Sequence, residues 1–147
     1  MSNGLAGPAR FFTHDHRQCD ELWVAVEGAD DLAQAAPLFK AFDERMRRHL
    51  QMEEEVLFPA LEQAAGFPPN AGPTAVMRSE HDRMRGLLNA MQAAVEAGDF
   101  DGLLDQGDTL LMLIQQHNSK EEQILYPMAE NLLAARWTDI CVELDHG

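Results

Sequence analysis

His49-Leu-Gln-Met-Glu53-Glu54-Glu55-Val-Leu-Phe-Pro59 and His117-Asn-Ser-Lys-Glu121-Glu122-Gln-Ile-Leu-Tyr-Pro127 are two copies of one pattern. In each, an imidazole stands four residues before a carboxylate, a spacing that stacks the two on one face of an α-helix. Two such faces turned toward each other bring four metal-ligand side chains together.

Outward from these stretches, core positions recur in alternating steps of four and three. They run Phe12, His16, Cys19, Trp23, Val26, then Phe42, Met46, His49, Glu53, Val56, Ala60. The later series are Met77, His81, Met84, Leu88, Met91, Val95 and Leu110, Ile114, His117, Glu121, Ile124, Met128. These are four helical seams facing a shared core. Gly28 to Asp31, Gly66 to Pro73 and Gly98 to Gly102 supply the stop and cap residues between them. The second and fourth segments run to about thirty residues, about 45 Å of helix. Pro59 and Pro127 fall late in them, where each removes a backbone hydrogen bond and predicts a kink.

The expected architecture is all-α: an antiparallel up-down four-helix bundle made of two related hairpins. A single domain spans 1–147, with the bundle over about 12–133 and a tail over 134–147. In the tail, Trp137, Ile140 and Leu144 share one helical face, which packs back on the bundle in preference to meeting a second copy or another protein partner.

Six seam positions are wrong for an apolar core: His16, His49, Glu53, His81, His117 and Glu121. A buried polar group without a partner costs roughly 2–7 kcal/mol, so several would exceed the ~5–15 kcal/mol stability of a whole domain. A single seam histidine reads as a core residue bonded to backbone. Six such groups at matching heights read as metal ligands in preference to a metal-free polar network. Each half carries a lone histidine and then His-x3-Glu, so an approximate twofold axis places equal ligand sets on either side, with Glu53 and Glu121 as bridges between two metals. His14 shares a polar face with Gln18, Glu21 and Ala25, which favours His16 as the ligand. His146, beside the C-terminus, reads as a surface residue.

The formal charge of -14 excludes electrostatic binding to nucleic acid or anionic membranes, both of which need clustered Lys and Arg. The first residues hold no apolar signal core, and no stretch reaches the ~20 apolar residues of a membrane span, so a cytoplasmic protein is expected. Cys19 and Cys141 make no disulfide framework and read as reduced thiols. The methionines around the seams are ordinary core packing.

The arrangement resembles the hemerythrin family, in particular its bacterial HHE cation-binding members, over about Phe12 to Leu133. The likeness rests on Asp15-His16-Arg17, His49 to Pro59, Glu80-His81-Asp82 and His117 to Pro127. It implies a four-helix bundle around two Fe ions joined by an oxo or hydroxo bridge, although other divalent metals suit the same donors. By that resemblance His16 and His49 are terminal ligands of one iron, His81 and His117 of the other, and Glu53 and Glu121 the carboxylate bridges. Oxygen carriers of the family have a further histidine four residues after the position of His81, where this chain has Arg85. They also close the fourth-helix motif with an aspartate five residues after its histidine, where this chain has Glu121 at four. The first departure leaves a coordination position open to a small diatomic or peroxide ligand. Glu54 and Glu122, about 100° off the seam, are expected beside the ligands or in solvent. The residues do not separate binding or sensing of O2, NO or peroxide from turnover by an oxidoreductase, or from iron handling.

Overall fold

A computed structural model describes residues 7–68 and 70–146, and the side chain of His146 lies outside the described residues. Helix α1, Pro8–Glu27, begins with proline at its first turn and stops at Gly28. Its first turn is tied to the far end of the chain by Ala9 N–H, which donates to Glu130 Oε1 at 2.9 Å. Asp31 caps α2, Leu32–Met52, by accepting from Gln34 N–H at 2.9 Å. The chain then passes through a widened π turn, Glu53–Leu57, into α3, Phe58–Ala65. Gly66, at φ 80°, supplies the left-handed residue that ends α3.

The second half repeats this plan. Helix α4 spans Pro73–Glu96, and Asp99 caps α5, Phe100–Lys120, through Gly102 N–H. A second π turn, Glu121–Leu125, leads into α6, Tyr126–Leu133. In both halves the helix, π turn and helix run 21, 5 and 8 residues. Helices α1 and α2 pack as one hairpin and α4 and α5 as the other, while α3 and α6 close on each other. The result is the four-helix bundle the seams predict. No strand occurs among the described residues, and no helix is long and apolar enough to cross a membrane.

The expected kinks take a different form. Phe58 N–H donates to Glu53 O and Tyr126 N–H to Glu121 O, each spanning five residues where an α-helix spans four. Each π turn spends one extra residue, so the seam slips by one position beyond the glutamate. Val56 and Met128 are therefore only half-buried and Ile124 is 56% exposed, while Leu57, Leu125 and Ala129 take their places in the core.

The six misfit positions form a polar layer between two apolar clusters. One cluster is centred on Phe12, Leu57, Phe58, Leu61 and Tyr126, the other on Trp23, Phe42, Met46, Met84 and Leu88. A short 3-10 turn, Ala134–Arg136, leads into α7, Trp137–His146, whose Trp137, Ile140 and Leu144 are buried in the first cluster. Arg48 holds that tail by donating to Leu144 O at 2.6 Å.

Candidate metal centre

All six seam residues converge. His16, His49, Glu53 and Glu121 form one quartet and Glu53, His81, His117 and Glu121 the other, and within each quartet one ligand atom per residue lies within 4.8 Å of the rest. Glu53, His81 and Glu121 are completely buried, and His117, His16 and His49 nearly so. His14, by contrast, is exposed on the outer face of α1.

Each imidazole is aimed by a carboxylate on its Nδ1. His49 Nδ1 faces Asp15 at 2.7 Å and His16 Nδ1 faces Glu122 at 2.8 Å. His117 Nδ1 faces Glu80 at 2.8 Å and His81 Nδ1 faces Glu54 at 2.6 Å. An ionised carboxylate can only accept, so Nδ1 carries the proton and Nε2 is turned inward. The pattern obeys the twofold repeat: the acid just before each lone histidine serves the other histidine of its own hairpin, and the acid just after Glu53 or Glu121 serves the lone histidine of the opposite hairpin. This is the arrangement that fixes metal-ligating imidazoles. In the sequence Asp15 and Glu80 stand out only as neighbours of His16 and His81, and their matched places in the repeat are the available signal. Glu54 and Glu122 stand beside His81 and His16, the first of the two positions expected for them.

Cations back three of these acids. Arg45 lies 2.6 Å from Asp15, Arg85 2.9 Å from Glu54 and Lys120 2.5 Å from Glu80. Arg85, at the position of the absent histidine, is thus turned to the carboxylate that orients His81. Burial would raise the pKa values of Asp15, Glu54 and Glu80, but their hydrogen bonds and neighbouring positive charges hold all three below the usual carboxylate range.

Inside the layer, donors run short. His49 Nε2, Glu53 Oε1 and Glu121 Oε2 are buried with no hydrogen-bond partner. Glu53 Oε1 lies 3.1 Å from His81 Nε2 and Glu53 Oε2 3.4 Å from His49 Nε2, close but without hydrogen-bond geometry. His81 Nε2 and His117 Nε2 face each other at 3.2 Å, where two unprotonated nitrogens would set lone pair against lone pair. A proton or a cation between them removes the conflict. The pKa shifts have the same origin: burial would lower the histidines, but nearby glutamates more than reverse it, pushing His81 up to about 9 and also raising His49 and His117. Glu53 is held well below its ordinary range, its burial outweighed by His49. In the metal-free chain these shifts favour protonated imidazoles in the layer. Buried imidazole and carboxylate atoms, converging and unpaired, fit a pair of iron, manganese or zinc ions.

Tyr126 breaks the twofold repeat inside the layer. Tyr126 Oη lies 2.5 Å from Glu53 Oε2, 2.9 Å from Glu121 Oε1 and 3.0 Å from His16 Nε2, whereas Phe58 occupies the matching place in the other half. The two quartets have the same composition, two histidines each and the shared Glu53 and Glu121; their surroundings differ. The comparison of Phe-Pro with Tyr-Pro at the ends of the two motifs carried that signal. Cys19, near His49, is a buried thiol pushed up to about 12 by desolvation, which keeps it protonated and inert.

The family model of the hemerythrin HHE cation-binding domain matches residues 7–129. An uncharacterized protein of Mycobacterium tuberculosis is 27% identical over 113 residues, covering 73% of this chain and 42% of that protein. The iron-sulfur cluster repair protein YtfE of Salmonella newport is 28% identical over 101 residues, covering 60% of this chain and 44% of its own. The chain thus spans less than half the length of these curated relatives. No solved structure matches it.

Proposed function

The chain belongs to the hemerythrin HHE cation-binding family, and from that premise we propose that it holds two iron ions bridged by Glu53 and Glu121 and binds a small ligand, O2, NO or peroxide, beside them. His16 and His49 serve one iron, His81 and His117 the other. The observation that carries this reading is the set of unpaired buried atoms, His49 Nε2, Glu53 Oε1 and Glu121 Oε2, in a layer whose other polar contacts are so fully made. An iron pair supplies Lewis-acid and one-electron redox chemistry. The protein's own groups orient the four imidazoles, exclude bulk water by the two apolar clusters and supply negative charge from the bridging acids. Arg85 holds Glu54 and so contributes no fifth imidazole ligand, which leaves a place for the small ligand.

Sensing or scavenging by reversible binding is the leading reading. A second, iron handling, draws support from the likeness to the iron-sulfur cluster repair proteins. One experiment separates them. The chain is loaded with Fe(II) under anaerobic conditions, its metal counted, and its visible spectrum followed as O2, peroxide and NO are added in turn. A stable, reversible adduct at two irons per chain is the expected result. Steady consumption of the ligand points to an oxidoreductase, and loss of iron to a chelator or acceptor on oxidation points to iron handling. A chain that takes up no metal under any condition overturns the reading. His81→Ala should lower the metal content, and exposed His14→Ala should leave it intact.

A further inference from the structure

The two halves of the centre match closely in their rings, but one of them carries an extra oxygen atom. The Tyr126 ring lies 5.5 Å from the His16 ring at 32°, and the Phe58 ring 5.4 Å from the His81 ring at 29°. Both rings begin the helix after a π turn and precede a proline, so the backbone delivers them identically. The Tyr126 hydroxyl therefore sits where Phe58 places only a C–H edge.

That hydroxyl falls on the His16–His49 side. Its proton is given to Glu53 Oε2, 2.5 Å away, and Glu121 Oε1 and His16 Nε2 lie within 3.0 Å of the same oxygen. The other oxygens of the two bridging acids, Glu53 Oε1 and Glu121 Oε2, point toward His81 and His117 and have no hydrogen-bond partner. A cation in the His16–His49 half must displace an O–H from the carboxylate it needs. In the His81–His117 half it displaces no such group.

A second asymmetry has the same sense. Glu122, which orients His16, has no Lys or Arg within ion-pair reach among the described residues, whereas its counterpart Glu54 is held by Arg85. Glu122 also lines a groove of about 420 Å³ between α1 and α5, with Arg17, Asp20 and Asn118. The acid that orients His16 thus lacks the cation that holds its counterpart.

We propose that Tyr126 is a positioning residue that ranks the two metal positions: the His81–His117 half fills first and holds its cation more tightly, and the His16–His49 half fills second and exchanges. This rests on the two-metal reading above and gives it an order. The phenol acts as an internal competitor for Glu53 Oε2.

The test is a Co(II) titration of the full metal-free chain near neutral pH, read by calorimetry and by the cobalt ligand-field bands. Two resolved steps are expected. His117→Ala should remove the tight step and His16→Ala the weak one. Tyr126→Phe should tighten the weak step by roughly tenfold or more, the scale of one charge-assisted hydrogen bond, and leave the tight step unchanged. Phe58→Tyr should weaken the tight step and draw the two together. A merely structural role for the phenol would lower the melting temperature without moving the steps apart or together. Two equal steps in the parent chain, the reverse order, or a Tyr126→Phe weak step that stays put or weakens overturns the ranking alone. Fewer than two bound cations overturns the two-metal reading and the ranking with it. Helical circular dichroism of each metal-free variant reports folding, and should Tyr126→Phe fail to fold, Phe58→Tyr decides the matter by whether its tight step weakens.

Discussion

At the scale of single residues, the chain assigns its carboxylates to two tasks. Glu53 and Glu121 lie between the two quartets, and Asp15, Glu54, Glu80 and Glu122 hold the imidazoles from behind. Spacing made the convergence of the six seam residues legible, because i to i+4 geometry is local. Which acid would reach which imidazole was not legible, since Asp15 serves His49 across two helices and Glu80 serves His117 across two others. Asp15→Asn keeps an acceptor and removes the charge that fixes the His49 proton. It should lower metal affinity by about 10–100-fold with the helical content retained, measured by competition with a chromophoric chelator. An affinity equal to the parent's would show that Asp15 does no more than pair with Arg45.

At the scale of elements, the π turns are what the periodicity could not supply. A seam read at 3.6 residues per turn runs correctly through Glu53 and Glu121 and then names Val56 and Ile124, one residue short of the buried Leu57 and Leu125. The cause lies in the ladder. Pro59 and Pro127 lack the N–H that an α-helix would send to residues 55 and 123, and the turn widens just before each proline. Two substitutions check the slip by urea unfolding. Leu125→Ala should cost about 2–5 kcal/mol as a core truncation, and Ile124→Lys should stay within about 0.5 kcal/mol as a surface change. The opposite ranking would restore the uninterrupted α-helix.

At the scale of the whole molecule, the polar layer ties stability to pH and to metal. In the metal-free chain His81 rises from an ordinary 6.5 to about 9, its burial overcome by hydrogen bonds to Glu53 and Glu54, and His49 and His117 shift the same way. Stability from these protons is complete below about pH 6.5 and is lost as pH climbs through about 9. Glu53 acts with the opposite sign: its contribution is present above its ordinary 4.5 and fades as pH falls through its lowered value. The metal-free chain should therefore melt highest between about pH 4.5 and 6.5 and lose stability toward pH 9. Metal affinity should rise over that upper range, because each cation must expel protons, and acidification should strip the metal. Melting curves of chelated and loaded protein across this range check both trends, and a metal-free chain as stable at pH 9 as at pH 6 would contradict the pairing of imidazoles with buried acids. The sequence alone determined the helices, their caps, the two-hairpin repeat and the six polar seam positions, because periodicity, capping and i, i+4 spacing are written within a few residues. Only the tertiary structure decided the one-residue slip after Glu53 and Glu121, the cross-helix partners of the imidazoles and the reach of the Tyr126 hydroxyl into the polar layer. Those depend on where helices distant in the chain place their side chains once packed, and no local spacing carries that information.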